Sequence, residues 1–363
     1  MTLIDPYGRK ITYLRISITD HCNTARCYSM HVPAGRSHLK SSDHLSSEEL
    51  LRLCKVAVEA GITQIRITGG EPLLREDAVD LCRKIGKIQG LSTLALTTDG
   101  VRLADMAAGL RKAGVHRINV SLDTLRSDRY AEITGQDALA QVLAGIRAAE
   151  RVGFAPIKIN VVVMRGVNDD EIGRLAEMSY ERPYHVRFTE LMPFHNPKAG
   201  AYQDLFMPIG EIIQRIPYID RATVGPALNT GGPARLCRLP MARGRVGFIA
   251  PVSWYFCGSC NRLRLTADGK IRPCLFSDQE MDIKGLIRKG ASKLELIDMF
   301  RQASMAKPRR HQLGSDGQPH RQRQRLYAKE IQRAPEHIAA ASTTATMSIN
   351  GRSGGRMSGC EVS

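Results

Sequence analysis

The sequence predicts an α/β fold, an incomplete (β/α)6 barrel of the TIM type followed by a cysteine-bearing C-terminal region. Short apolar runs alternate with amphipathic helical patterns at a steady spacing, and the connections between them are short. Such strand–helix alternation is typical of a parallel sheet. Polar and glycine-rich residues collect just after the strand ends, which is the rim where parallel barrels bind ligands.

Six candidate strands and five candidate helices make up the barrel. The strands are predicted at 14–18, 64–68, 94–98, 117–121, 157–163 and 186–189. The helices are predicted at 47–60, 76–88, 102–113, 137–152 and 169–180. Ser46 followed by Glu49 is a capping-box signature for the first helix. Gly61, Gly114 and Gly153 follow three of the helices, as expected for left-handed C-terminal turns.

The pattern divides the chain into three regions. Residues 1–195 form the predicted barrel, and residues 196–313 close it and carry a run of cysteines. The region 314–363 is rich in Gln, Arg, Ser, Thr, Ala and Gly without a steady period, so we expect disorder there.

Charge and composition limit the classes of molecule that the protein is expected to bind. The 363 residues carry a formal net charge of +16, which favours polyanions. Only 5% of residues are aromatic and no helix carries a dense basic stripe, so nucleic acid is not expected. A phosphorylated small molecule accounts for the charge as well.

Cysteine usage and hydropathy indicate the compartment. No stretch approaches the length of a membrane span, and the first residues lack an apolar signal core, so we expect no membrane association and a cytoplasmic location. Nine cysteines in a chain of this size favour reduced thiols that serve as metal ligands.

The most informative motif contains Cys257, Cys260 and Cys274, with Arg262 and Arg264 between the second and third cysteine. A structural zinc site takes four ligands. Three thiolates on a 4Fe–4S cubane leave one iron open, and the arginines indicate that its ligand is an anion. A zinc ribbon with a distant fourth ligand is the alternative.

Several further motifs follow the predicted strands in order. They begin at Arg15 (Arg-Ile-Ser-Ile-Thr-Asp-His-Cys-Asn), at Arg66 (Arg-Ile-Thr-Gly-Gly-Glu-Pro), at Thr97 (Thr-Thr-Asp-Gly), at Asn119 (Asn-Val-Ser-Leu-Asp), at Lys158 (Lys-Ile-Asn-Val-Val-Val-Met) and at Arg187 (Arg-Phe-Thr-Glu-Leu-Met-Pro). Together with the cysteine run, this order resembles the radical S-adenosylmethionine enzymes. Within them it resembles the GTP 3′,8-cyclase family of molybdenum-cofactor biosynthesis, over about residues 5–313.

The resemblance implies a chemistry. It implies two 4Fe–4S clusters and S-adenosylmethionine, the lyase activity that converts GTP to (8S)-3′,8-cyclo-7,8-dihydroguanosine 5′-triphosphate, and the first step of molybdopterin synthesis. It also implies an electron-donor protein as a partner and allows a homodimer. A buried barrel interior suits this reaction because an alkyl radical must be kept from water and held against its target.

The resemblance assigns residues to S-adenosylmethionine by motif position. They are Tyr28, Gly70, Ser121 and Met192. Gly69 and Gly70 would let the backbone approach the methionine amino group, whereas a tight strand-to-helix turn that needs glycine is the structural alternative. No residue is assigned a catalytic role.

A second set matches GTP-binding positions. It contains Arg15, Arg66, Thr97, Lys158, Arg262, Leu263 and Arg264. Cations within apolar strands are costly when they lack a partner, and a triphosphate would supply one. The alternative is that they form structural ion pairs with Glu71, Asp20 or Glu190.

The cluster ligands fall into two groups. Cys257, Cys260 and Cys274 match the second cluster, and Cys22 and Cys27 are the candidates for the first.

The first group departs from the family pattern of Cys-x3-Cys-x2-Cys. Arg26 and Ser29 occupy the second and third cysteine positions, and His21 or His31 would be a substitute ligand. Asp99 also stands where the family usually has Asn. The chain is therefore either a cyclase or an impaired homologue that keeps GTP and iron–sulfur binding.

Overall fold

The computed structural model describes residues 1–24, 39–193, 202–224, 233–254 and 256–311. Its strands are β1 Leu3–Ile4, β2 Lys10–Ile11, β3 Tyr13–Ser17, β4 Gln64–Thr68, β5 Thr93–Thr98, β6 Arg117–Ser121, β7 Lys158–Val163, β8 His185–Glu190, β9 Thr223–Val224, β10 Arg235–Arg238, β11 Arg245–Ile249, β12 Arg262–Leu265, β13 Lys270–Arg272 and β14 Met281–Asp282. Its α-helices are α1 Ser47–Glu59, α2 Ala78–Gly86, α3 Leu103–Lys112, α4 Ser127–Thr134, α5 Leu139–Arg151, α6 Ile172–Glu181, α7 Tyr202–Leu205, α8 Ile209–Gln214, α9 Ile283–Arg288 and α10 Lys293–Met305.

One large sheet organises these elements. Its strand order is β14-β13-β12-β3-β4-β5-β6-β7-β8-β11-β10-β9, and the eight strands from β12 to β11 are parallel. The six predicted strands are confirmed as β3 to β8. Within the described residues, the edge strands β14 and β9 do not pair with each other, which agrees with an incomplete barrel.

Both predicted regions contribute to this sheet. β12 pairs with β3 and β11 pairs with β8, so strands from beyond residue 195 flank the six barrel strands on both sides. The boundary at 195/196 stays a prediction. The predicted disordered tail from residue 314 lies outside the described residues.

The structure confirms most of the helix signals that were read from the sequence. Ser46 and Glu49 form the predicted capping box of α1, and Gly61, Gly114 and Gly153 have positive φ. Helix α4 was not predicted, because it has only eight residues and buries Tyr130, Ile133 and Thr134 alone. The described residues contain no helix long and apolar enough to cross a membrane.

Residue alternation gives the barrel two different faces. Leu14, Ile16, Ile65 and Ile67 are buried in the apolar core. Arg15, between Leu14 and Ile16 on β3, lines a cavity on the opposite face. Because side chains alternate along a strand, the same segments that build the core also present polar groups to the interior. This places the candidate site inside the barrel.

Candidate active site

The barrel interior holds a cavity of about 300 Å³. Its lining combines strand residues with the cysteine run: Tyr13, Arg15, Arg66, Thr97, Asn119, Ser121, Lys158, Asn160, Arg187, Thr189, Met192, Pro233, Ile249, Pro251, Phe256, Cys257, Cys260, Arg262, Arg264, Pro273, Cys274, Leu275, Phe276 and His311. Most of the candidate residues named from the sequence therefore share one cavity.

Strand register places three of the cations in one row. Arg264 on β12 is the register partner of Arg15 on β3, and Arg15 is the partner of Arg66 on β4. Neighbouring parallel strands lie about 4.8 Å apart, so the three side chains project into the cavity from adjacent positions. Arg66 is held by the hydroxyl groups of Tyr13 and Thr97, to which its guanidinium donates.

Two more cations enter from the far side of the barrel. Lys158 on β7 and Arg187 on β8 line the same cavity and are almost fully buried. Burial, and then the charges of Arg187, Arg66 and Arg117, lowers the pKa of Lys158 to about 6. Burial, and then the charge of Arg66, lowers the pKa of Arg187 to about 10. Burial and mutual repulsion thus disfavour the charged forms of Lys158 and Arg187.

The same effect acts on the first row. Burial and the charge of Arg66 lower the pKa of Arg15 to about 10. Burial, Arg15 and Arg262 lower the pKa of Arg264 well below its usual value. Among the described residues, the buried Nε atoms of Arg15 and Arg187 have no hydrogen-bond partner. A polyanion in the cavity would relieve both the repulsion and the missing hydrogen bonds.

The structural ion-pair alternative is wrong for these cations. Glu71 accepts hydrogen bonds from Thr98 and from two main-chain N–H groups. Asp20 pairs with His44 at 2.6 Å between Oδ1 and Nε2. Glu190 accepts three main-chain N–H groups. Across the described ranges, no carboxylate forms a salt bridge with Arg15, Arg66 or Lys158.

Sequence reasoning missed Arg187 and Asn160 as site residues. Both line the cavity and are register partners on β7 and β8. Arg187 stands between the apolar Val186 and Phe188, which is the same pattern that pointed to Arg15 and Lys158. The signal was therefore present, whereas a single asparagine in a strand carries no comparable signal.

The three cysteines meet at the amino-terminal edge of the parallel sheet. Cys257 and Cys260 immediately precede β12, whose first residue, Arg262, is the register partner of Tyr13 at the start of β3. Strand β13 runs antiparallel to β12, so its end lies beside the start of β12. Cys274 follows β13 and therefore lies near Cys257 and Cys260. All three cysteines line the cavity, which agrees with the predicted shared site.

The surroundings of these thiols suit an anionic metal cluster. Burial by itself raises the pKa of Cys260, but the charges of Arg262 and Lys307 and hydrogen bonds from Arg262 lower it to about 6. A thiolate is the form that binds metal. Three half-buried thiols with cationic neighbours would hold a 4Fe–4S cluster and leave one of its irons open for a ligand.

Of the other predicted residues, some line the cavity and some do not. Thr97, Ser121 and Met192 line the cavity, and Ser121 and Met192 lie at or just after the carboxyl ends of their strands, β6 and β8. Leu263 does not line it, because its side chain is in the apolar core on the face of β12 opposite Arg262 and Arg264. Tyr28, together with Cys27, Arg26, Ser29 and His31, lies outside the described residues.

Gly69 and Gly70 have a clear packing role. The Gly70 N–H donates to the Thr19 carbonyl oxygen at 2.7 Å, and the Glu71 N–H donates to the His21 carbonyl oxygen at 2.6 Å. A Cβ at Gly70 would lie 2.0 Å from the His21 carbonyl oxygen, and one at Gly69 would lie 2.6 Å from that of Thr19. The pair therefore lets two backbone segments touch beside Cys22. Neither glycine has a positive φ, so the close approach, and not a left-handed turn, requires glycine here.

Cys22 itself is buried and follows β3 at the carboxyl edge of the sheet. Cys22 and the run Cys257, Cys260 and Cys274 therefore lie at opposite ends of the barrel. Nearby, Asp20, His21 and His44 have potential ligand atoms within 4.8 Å of one another. The described residues thus provide one thiol, Cys22, for the first cluster.

Comparisons with known proteins agree with this arrangement. The Radical SAM superfamily model matches residues 16–179, and the Molybdenum Cofactor Synthesis C model matches residues 184–313. The chain is 48% identical to GTP 3′,8-cyclase of Moorella thermoacetica over 310 residues, which cover 85% of this chain and 95% of that protein. It is 45% identical to the GTP 3′,8-cyclase of Geobacter sulfurreducens over 312 residues, covering 86% and 94%.

A solved structure supports the fold. The Streptococcus suis SuiB structure with bound S-adenosylmethionine superposes with a TM-score of 0.54 at 15% identity, and the match covers 81% of this chain and 69% of SuiB. At that identity the likeness concerns the fold alone.

The fold, the cavity and these matches define a radical S-adenosylmethionine protein with a cysteine-bearing C-terminal region. Within that superfamily, the chain belongs to the GTP 3′,8-cyclase family. This membership confirms the predicted cofactor class, iron–sulfur clusters with S-adenosylmethionine, and favours the cluster over the zinc ribbon. The comparisons give no support to the alternative of an impaired homologue.

Proposed function

We propose that this chain catalyses the radical cyclisation of GTP to (8S)-3′,8-cyclo-7,8-dihydroguanosine 5′-triphosphate, the first step of molybdenum-cofactor biosynthesis. One observation carries the proposal. Cations from β3, β4, β7, β8 and β12 line a single cavity without carboxylate partners among the described residues; Lys158 and Arg187 are buried and the others are partly buried, and the three cysteines line the same cavity. A nucleoside triphosphate matches both the charge and the extent of this surface.

The cations hold the triphosphate in the proposal. Arg15, Arg66 and Arg264 form an adjacent row, and Lys158 and Arg187 enter from the far side. Guanidinium groups bind phosphate through paired, charge-assisted hydrogen bonds, which are roughly twice as strong as neutral ones. The unpaired Nε atoms of Arg15 and Arg187 are ready donors for such bonds.

The two ends of the cavity are given different roles. Cys257, Cys260 and Cys274 would hold the second cluster, which would offer an open iron to the nucleotide. Ser121 and Met192, at the carboxyl-terminal end, would contact S-adenosylmethionine. When bound, the first cluster and S-adenosylmethionine supply the carbon radical that removes hydrogen from the ribose. The chain's own residues fix the two molecules side by side and exclude water.

The first cluster is proposed to use Cys22 and Cys27, with Tyr28 and Gly70 beside S-adenosylmethionine. Gly70 supports this site through the backbone contact that fixes the segment leading to Cys22.

The test is anaerobic reconstitution followed by two measurements. About eight irons per chain are expected if both clusters assemble, and about four if one does. Incubation with GTP, S-adenosylmethionine and dithionite is then expected to yield 5′-deoxyadenosine and the cyclised nucleotide in equal amounts. A chain that holds iron and binds GTP, but forms neither product, would contradict the proposed activity.

A cysteine pair provides the matched control. Cys260→Ser is expected to remove about four irons and all cyclisation, because it takes a thiolate from the second cluster. Cys54→Ser changes a buried cysteine of α1 that lies away from the cavity, and it should keep the iron content. Equal iron content in the two variants would show that Cys260 is no ligand.

Repair of the family motif tests the first cluster. The double change Arg26→Cys with Ser29→Cys restores Cys-x3-Cys-x2-Cys around Tyr28. If reconstitution of the unmodified chain gives only about four irons, this double change is expected to raise the iron content by about four and to increase the cleavage of S-adenosylmethionine, with either single change doing less. Equal cleavage by the unmodified chain would mean that another ligand, such as His21, completes the site.

The surroundings of the enzyme are part of the proposal. We place it in the cytoplasm, with a small electron-donor protein as its reductant and a homodimer as its assembled state. Replacement of dithionite by a reduced ferredoxin or flavodoxin tests the first partner, and sedimentation tests the second.

A further inference from the structure

The segment that follows α10 closes over the three-cysteine site. It runs from Lys307 to His311, and His311 lines the same cavity as the cysteines. Lys307 does not line that cavity and has only 4% of its surface exposed. A lysine this deeply buried needs a strong reason for its position, because removal of an ammonium from water is costly.

The contacts of the ammonium supply that reason. Lys307 Nζ lies 2.8 Å from the carbonyl oxygen of Arg262, 3.0 Å from that of Pro273 and 3.7 Å from the sulfur of Cys260. An ammonium has three donors, and each of the three acceptors comes from a different position around the cysteine site. Arg262 begins β12 and Pro273 directly precedes Cys274. The one side chain therefore joins both arms of the site.

The segment is fixed from its other side. Arg9 donates to the carbonyl oxygen of Cys257 at 2.6 Å and to that of Pro308 at 2.7 Å, and Asp5 pairs with Arg9. His311 Nε2 contacts the carbonyl oxygen of Pro251 at 2.9 Å. The contacts of Pro308 and His311 thus fix the segment that carries Lys307, and they hold the ammonium group beside Cys260.

We propose that Lys307 is a positioning residue that sets the reduction potential of the second cluster, through the charge and hydrogen bond that it gives to Cys260. The proposal rests on the proposed cluster site at Cys257, Cys260 and Cys274. Three thiolates give a 4Fe–4S cluster a net negative charge, which grows by one on reduction. A buried cation at the sulfur stabilises the reduced form more than the oxidised form, because the reduced form carries more negative charge.

The experiment compares Lys307→Met, Lys307→Gln and Lys307→Arg with the unmodified chain. A Cys22→Ser background leaves the second cluster alone for measurement. After anaerobic reconstitution, iron content is determined and the midpoint potential is measured by a redox titration followed by electron paramagnetic resonance. Lys289→Met, at an exposed lysine just beyond α9, is the matched control.

Lys307→Met and Lys307→Gln are expected to disfavour the reduced cluster by about tenfold, a fall of about 59 mV for a one-electron couple. Lys307→Arg should restore most of the potential, and Lys289→Met should leave it unchanged. Because Gln keeps a hydrogen-bond donor but loses the charge, a normal potential in Lys307→Gln would overturn the role of the charge.

Two further outcomes keep the proposal falsifiable. If the Met and Gln variants lose the cluster, retention of iron by Lys307→Arg supports the role of the cation. Iron loss in all three variants, or full iron with an unchanged potential, overturns it. Failure of the Cys22→Ser background itself to hold about four irons would instead count against the proposed cysteine site.

Discussion

The carboxyl-terminal rim of the barrel and its interior treat buried charge in opposite ways. At the rim, Glu71, Glu171 and Glu190 are buried and accept main-chain N–H groups, so each carboxylate ties two or more segments together. In the interior, Lys158 and Arg187 are buried without a carboxylate partner in the described part of the chain. Buried charges with partners serve the fold, whereas buried charges without partners indicate a ligand.

The largest expected effect comes from breaking a rim carboxylate. Glu190 accepts the N–H groups of Ile209, Val252 and Ser253, so Glu190→Ala takes the acceptor from three main-chain donors, of which that of Ile209 is buried. We expect the free energy of unfolding to fall by about 3 kcal/mol or more. Glu177→Ala, on the exposed face of α6, should change it by about 0.5 kcal/mol at most. Urea denaturation of both variants measures the difference, and similar losses would contradict the comparison.

Removal of an interior cation should weaken ligand binding and should not destabilise the fold. Lys158→Met is expected to weaken GTP binding by about 1.5–3 kcal/mol, because a charge-assisted hydrogen bond to phosphate is lost. The same change should raise the stability of the free protein, because burial beside Arg187 and Arg66 lowers the pKa of Lys158 and folding therefore forces this amine to lose its proton. Calorimetry with GTP and denaturation without it measure the two effects.

The control for this variant is Lys112→Met, at the exposed end of α3. It should change neither quantity appreciably. Unchanged GTP affinity in Lys158→Met, with the cluster intact, would make Lys158 a structural residue.

The smallest expected effect is a proton uptake. With a pKa of about 6, Lys158 is mostly neutral in the free protein at pH 7.5. A bound phosphate favours the charged amine and raises this pKa, so GTP binding takes up a proton and its affinity falls as the pH rises above about 6. Calorimetry in buffers of different ionisation enthalpy detects the uptake. The uptake should vanish in Lys158→Met, and its persistence there would assign it to another group.

The sequence predicted the barrel strands and much of the site for a physical reason. Alternation of apolar and polar residues along β3, β4 and β7 marks both the core face and the cations on the opposite face. Helix α4 was not predicted because its amphipathic pattern is short and weak. The pairing of β11 and β12 with the barrel strands depends on partners far away in the chain, for which local patterns hold no information.

Single residues were harder to predict for the same reason. Lys307 follows a helix and precedes a proline, and its neighbours in sequence give no sign that it reaches Cys260. Leu263 was included because it lies between two arginines, and strand alternation turns it to the core. Contacts that depend on the folded arrangement of distant segments remain beyond pattern reasoning.

The pairing of β12 with β3 has a consequence for synthesis of the chain. Asn261 donates its side-chain hydrogen bond to Thr12 across a separation of 249 residues, beside the point where the two strands meet. A ribosome must therefore release most of the chain before Arg264 can join Arg15 and Arg66. Until then Arg15 and Arg66 remain exposed to water, and the row of cations that lines the cavity can be completed only after β12 has been synthesised.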